Sequence, residues 1–232
     1  MTIIWTHQGD GIENTLQAFT NAWSKGITHF ETDVQATKDG YLVLSHDRSI
    51  KRLTGHNLKI PNLTLQELQS HRINNQFEWT LLADLLASYP DARISIDMKS
   101  SNTLAPLIST LRNRSNNANL VIGSFRSKRV KIFRTELPQI HTAMTFEETL
   151  QLRTFGKLIS HSPKNLLAMI PAKYAGIKVI SDQFRQIIAE LEIPWHVWTV
   201  NSISEMKILK QLGATGIITD DVDSALYVLG NN

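Results

Sequence analysis

Short apolar runs alternate along the chain with longer stretches whose apolar positions recur every three or four residues. The short runs predict strands near residues 2–7, 28–34, 93–98, 119–125, 141–145, 166–170, 195–200 and 216–219. The longer stretches predict helices over 14–25, 104–114, 147–156, 182–191 and 202–212. Strand–helix alternation of this kind is the pattern of a parallel α/β fold. Eight strands with helices between them fit a closed (β/α)8 TIM barrel better than an open sheet, built as a single domain over residues 1–232.

One element interrupts the alternation. After the second strand, TKDGYLVLSHD returns an apolar run through only a Lys38-Asp39-Gly40 turn, and so short a connection demands an antiparallel hairpin. Counting back from a turn centred near Asp39 sets His46 opposite Thr32, to within one residue, and therefore beside Glu31 and Asp33. Residues 48–90 are long for a βα connection and carry short helical patterns at 64–70 and 81–88. They are expected to form an insertion packed over one side of the barrel mouth.

Composition narrows the chemistry. A formal charge of +3 leaves room for an anionic substrate, yet no dense Lys/Arg tract of the kind that grips nucleic acid is present. There is no cysteine, so disulfides and thiolate metal sites are excluded and any metal must be held by oxygen or imidazole. MTIIWTHQGD lacks the basic and apolar regions of a signal peptide, and no run of eighteen apolar residues occurs, so a soluble cytoplasmic protein is expected.

In a barrel the chemistry collects where strands end. The polar residues closing these strands are His7, Glu31 with Asp33, Asp97 with Lys99, Asn201 and Asp220. Glu31 and Asp33 are two apart on a strand and share a face, and Asp97 and Lys99 repeat the spacing. Buried carboxylates need cations, and one lysine does not balance three acids. One divalent ion, Mg2+ or Ca2+, on Glu31, Asp33 and Asp97 would resolve the imbalance, since an all-oxygen donor set favours hard metals. With Lys99 for phosphate charge and the imidazoles of His7 and His46 for proton transfer, the set suits phosphoryl chemistry.

Taken in order, these positions resemble the glycerophosphodiester phosphodiesterase family. The matching residues are His7-Gln8-Gly9, Glu13-Asn14-Thr15 with Ala18-Phe19, Glu31-Thr32-Asp33, Lys38-Asp39-Gly40, His46-Asp47 and Arg52-Leu53-Thr54-Gly55. Later come Asp97-Met98-Lys99, Ser124-Phe125, Trp198-Thr199-Val200-Asn201 and Gly216-Ile217-Ile218-Thr219-Asp220, so the resemblance spans nearly the whole chain. It implies His7 and His46 as the acid/base pair, Glu31, Asp33 and Asp97 as metal ligands, and Lys99 on the phosphate. It further implies a glycerol pocket lined by Phe125 and Trp198. The implied reaction is hydrolysis of a small glycerophosphodiester to glycerol 3-phosphate and an alcohol.

The departures define alternatives. Gln8 stands where the family has a phosphate-binding arginine, and supplies hydrogen bonds without charge. Asp97 replaces a glutamate, and Ile12 and Val222 replace prolines. Arg126 is a candidate to restore the missing charge. A weakened barrel that binds phosphodiesters without turnover is one alternative. Another is a phosphodiesterase acting on larger phospholipids through a cyclic phosphate. Asn14-Thr15 is expected to cap a helix, Glu13 to assist the site, and Asn201 and Asp220 to cap helices. His29, His56, His71, His141, His161 and His196 lack acidic partners at useful spacing and are expected to be structural.

Overall fold

The computed structural model describes residues 2–157, 165–174 and 177–230; His161 lies outside them. Its strands are β1 (Ile3–His7), β2 (His29–Ala36), β3 (Leu42–Leu44), β4 (Arg93–Met98), β5 (Leu120–Gly123), β6 (His141–Ala143), β7 (Leu166–Pro171), β8 (Lys173–Tyr174), β9 (Ile177–Lys178), β10 (Trp195–Trp198) and β11 (Gly216–Thr219). Its helices are α1 (Leu16–Ser24), α2 (Lys51–Thr54), α3 (Leu65–Gln69), α4 (Leu82–Ser88), α5 (Leu104–Arg112), α6 (Ser127–Glu136), α7 (Phe146–Phe155), α8 (Asp182–Glu190), α9 (Ile203–Gln211) and α10 (Val222–Leu229). The strands β1, β2, β4, β5, β6, β7, β10 and β11 pair in parallel, and the β1–β2 pairing closes them into the expected eight-stranded barrel. The small β8–β9 hairpin lies outside the alternation the sequence predicts.

Two apolar layers follow from strand periodicity. Trp5, Val121, Leu167 and Ile218 point inward and fill the barrel. Intervening residues such as Phe30, Val34, Ile94 and Ile122 point outward and pack with Phe19, Leu107 and Phe133 of the surrounding helices. Local chemistry ends the helices where the sequence requires it. At the start of α7, Thr145 and Glu148 form a reciprocal capping box, and Gly156 closes the helix with φ +67°. The first helix starts two residues later than its periodicity suggests, because Asn14 is left-handed (φ +58°) and Thr15 supplies the cap to the Ala18 amide. The Asn14 side chain instead accepts a 2.7 Å hydrogen bond from Thr32 Oγ1.

The hairpin forms as the turn demands. Val34 pairs with Leu44 and Ala36 with Leu42, antiparallel, and Ser45 N donates to Asp33 O at 3.0 Å. Extending that register one residue sets His46 opposite Thr32, as the turn predicts. The insertion that follows packs Ile50, Leu53, Ile60, Leu68, Ile73 and Trp79 into a small core with Val43 of β3. Trp79 is pinned by donating Nε1–H to His71 O at 2.7 Å. The loop from His46 to Arg52 is thereby anchored at the barrel rim through the buried Ile50, with His46, Arg48, Lys51 and Arg52 exposed.

Candidate active site

Barrel closure makes the first contact. Thr6 of β1 faces Thr219 of β11, so the next residues, His7 and Asp220, emerge side by side. His7 Nδ1 lies 2.6 Å from Asp220 Oδ1. Asn201 locks the acid in place, donating Nδ2–H to Asp220 Oδ2 at 2.8 Å and accepting from the Asp220 amide at 2.9 Å. The bond to His7 holds the Asp220 carboxyl below its ordinary range, against the opposing effect of burial. Asn201 and Asp220 are therefore not helix caps. The side chain of Asp221 caps α10 through the Ser224 amide, and Ser202 precedes α9.

With Nδ1 committed to Asp220, His7 turns Nε2 into the barrel, 3.8 Å from Glu31 Oε2. Glu31 belongs to a chain of charges across β2 and β4, where Asp33 and Asp97 are register partners. Lys99 Nζ sits between those two, 2.8 Å from Asp33 Oδ1 and 2.6 Å from Asp97 Oδ2. Gln8 Nε2 donates to Asp33 Oδ2, so the residue in place of the family arginine is committed to an acid of the cluster. Gln8 reaches it from a left-handed backbone (φ +60°), and Gly9 beside it (φ +96°) has no substitute, since a Cβ there would lie 2.5 Å from Ala18 Cβ.

One cation does not satisfy three carboxylates. Glu31 Oε2 and Asp97 Oδ1 are buried with no hydrogen-bond partner. Burial first, then the charges of Asp33 and Asp97, push the Glu31 carboxyl well above its ordinary range. Burial also raises Asp97, although Lys99 opposes it. Burial works to lower the Lys99 ammonium, but the two aspartates outweigh it and the net shift is upward. Among the described residues, no set of three His, Cys, Asp or Glu is arranged to ligate a metal.

His46 stands on the hairpin side of the rim. Its Nδ1 lies 2.9 Å from Asp47 Oδ1, and Gln35 donates to its carbonyl at 3.3 Å. Arg52 supports Asp47 through Nε at 2.6 Å and grips Glu13 with both terminal nitrogens at 2.7 Å. Glu13 thus enters the site through Arg52. Phe125 and Trp198 meet edge to face with ring centroids 5.6 Å apart, and Lys99 Nζ lies 5.4 Å from the Phe125 ring. Phe125 is 61% exposed, which suits a cleft wall rather than core. Of the nearby arginines, the one turned toward Asp97 is Arg129, not Arg126. It donates to Met98 O at 2.6 Å and Ser124 Oγ at 3.1 Å. An arginine three residues into α6 offers no pattern that would have singled it out in the sequence.

Two clefts open on the rim. One, of about 660 Å3, is lined by His7, Gln8, Glu13, Arg52 and Asp220. The other, of about 760 Å3, lies across Lys99 and includes Gln35, Arg48 and Arg129. Among the described residues, His29, His56, His71, His141 and His196 line neither cleft. His29 and His196 pack on Trp5 inside the barrel, and His56 stacks on His71 in the insertion.

Comparison with known proteins places the chain in a family. A family model, the glycerophosphoryl diester phosphodiesterase family, matches residues 6–224. A probable glycerophosphodiester phosphodiesterase of Mycobacterium tuberculosis is 26% identical, over 93% of this chain and 84% of its own. A glycerophosphodiester phosphodiesterase of Bacillus altitudinis is 27% identical over 98% of both chains. The solved phosphodiesterase of Oleispira antarctica, in complex with the product sn-glycerol-3-phosphate, superposes with a TM-score of 0.81 at 18% identity, covering 100% of this chain and 98% of that one. At that identity the last likeness speaks for the fold, while the family match covers the chain from the end of β1 into α10. The chain belongs to the glycerophosphoryl diester phosphodiesterase family.

Proposed function

We propose that the protein hydrolyses glycerophosphodiesters to glycerol 3-phosphate and an alcohol, using His7 and His46 as the proton-transfer pair. The observation that carries this reading is the matched backing of the two imidazoles. Each is held at Nδ1 by a carboxylate, at 2.6 Å for His7 and 2.9 Å for His46, and each keeps Nε2 for chemistry. One takes a proton from the attacking water as its oxygen bonds to phosphorus. The other delivers a proton to the alkoxide as the bond from phosphorus to the alcohol oxygen breaks. Lys99 places a fixed positive charge at the acid cluster, where the equatorial phosphate oxygens gather charge.

The proposal includes one divalent cation, Mg2+ or Ca2+, held by Glu31, Asp33 and Asp97. The unpartnered Glu31 Oε2 and Asp97 Oδ1 support it, as does the raised proton affinity of Glu31, since both signal missing positive charge. An ion bound there supplies Lewis acidity toward the phosphate oxygens. The test is release of glycerol 3-phosphate from glycerophosphocholine with Mg2+ or Ca2+, abolished by EDTA. Full activity of His46→Ala, or turnover indifferent to EDTA, would refute the corresponding part of the assignment.

A further inference from the structure

Lys99 belongs to two surroundings at once. On one side it holds Asp33 and Asp97, and on the other it lines the cleft of about 760 Å3. That cleft lies between the β2–β3 hairpin, the insertion and the loop from β4 to α5. Its ionisable lining is Lys38, Arg48, Lys99 and Arg129, with no aspartate or glutamate. The neighbouring cleft is different, since Glu13 and Asp220 line it and its one arginine, Arg52, is paired with Glu13.

Apart from Lys99, the cations of the basic cleft form no ion pair among the described residues. Some surface cations elsewhere are matched with acids: Lys25 with Asp10 and Asp223, Arg112 with Glu136, Lys131 with Glu147. Lys38 and Arg48 have no such ion pair among the described residues. Arg129 spends its hydrogen bonds on neutral acceptors, Met98 O, Ser124 Oγ and Ser101 Oγ. Like charges gathered in a concave, acid-free cleft repel one another and raise the local potential for anions. The other polar lining is hydroxyl and amide: Ser100 donates to Gln35 at 2.9 Å, and Asn102 donates to Ala36 O at 3.2 Å. Such groups exchange hydrogen bonds readily with a polyol.

We infer that this cleft is a subsite for the leaving alcohol, and that it selects alcohols that are polyols carrying a phosphate of their own. The inference rests on the proposed diesterase reaction. A scissile phosphate at Lys99 must send its two substituents to opposite sides, and one side is the basic cleft. The scissile phosphate has Lys99 to answer its charge. Lys38, Arg48 and Arg129 lie beyond it and call for a second anion.

The experiment compares glycerophosphoinositol with glycerophosphoinositol 4-phosphate, which differ only by the phosphate on the alcohol. A kcat/KM at least about tenfold higher for the phosphorylated diester is expected, from charge-assisted contacts. In the double variant Lys38→Ala, Arg48→Ala the ratio should fall to about one. A ratio near one in the unaltered protein, or one that survives the double variant, overturns the inference and leaves the diesterase reading standing. Calorimetric titration with inositol 4-phosphate reads the subsite without turnover. Binding that weakens about tenfold in the double variant supports the subsite even if neither diester is cleaved, an outcome that would sink only the reaction. No binding, or binding indifferent to the variant, overturns it. Both side chains are exposed, so the double variant should melt with the unaltered protein.

Discussion

His7 Nδ1 and Asp220 Oδ1 lie 2.6 Å apart, although 213 residues separate them in the chain. The contact exists because β1 and β11 are neighbours in the closed barrel, and it decides which imidazole nitrogen faces the cleft. His46 reaches the same result by a different route, through the adjacent Asp47. One side of the rim thus depends on barrel closure and the other on a hairpin and its insertion.

Asp220→Asn should lower kcat by about ten- to a hundredfold, because an amide orients imidazole but cannot stabilise its protonated form. His7→Ala should lose about a hundredfold or more, the scale of a general acid or base. Steady-state kinetics together with a thermal melt would check this. An Asp220→Asn protein with unaltered kcat would remove that carboxylate from the mechanism.

Arg52→Ala should reduce kcat without touching the barrel, since Arg52 joins Asp47 behind His46 to Glu13. Arg52→Lys should not rescue it. A single ammonium cannot reproduce a guanidinium that meets one carboxylate with two nitrogens and another with the third. Equal kcat in the lysine variant would reduce Arg52 to a surface charge.

Lys99→Met removes the counter-charge of Asp33, which is 1% exposed, and of Asp97. Without divalent ions the variant should lose about 3–5 kcal/mol of stability, the usual scale for stripping one partner from a buried pair. The unaltered protein should gain about 2.7 kcal/mol when Mg2+ or Ca2+ reaches a hundred times its dissociation constant. Glu31→Gln should forfeit most of that gain. Urea unfolding with and without metal reads all three, and a metal-independent midpoint would argue against the ion.

Much of this was legible in the sequence for physical reasons. Strand and helix periods differ, so the eight strands announce themselves, and a turn as short as Lys38-Asp39-Gly40 fixes the register of His46 to within one residue. What the sequence hides is contact between elements that no short turn joins. Asp220 reads as a strand-end acid before a helix, because its partner is set by which strands become neighbours. Arg129 is one basic residue among several in α6 until the helix docks and turns it toward Met98. Gln8 shows as a lost charge, yet its amide role follows from a left-handed backbone that no pattern encodes.

The histidines away from the rim predict how stability responds to acid. His196 is 2% exposed, and its Nδ1 has no partner. Burial, reinforced by the nearby charges of Arg93 and His29, lowers its pKa to about 3, from 6.5 in the open chain. Protonation therefore favours the unfolded state. Its stabilising effect is complete above pH 6.5 and falls by about 1.4 kcal/mol per pH unit as pH drops from there toward the folded value. Urea unfolding at pH 7.5, 6.0 and 5.0 should show a stability that declines only below about pH 6.5. In His196→Gln, which carries no titrating ring, that decline should be shallower by about 1.4 kcal/mol per pH unit, whatever the variant costs at neutral pH. Parallel slopes in the two proteins would mean that His196 is solvated and titrates alike in both states.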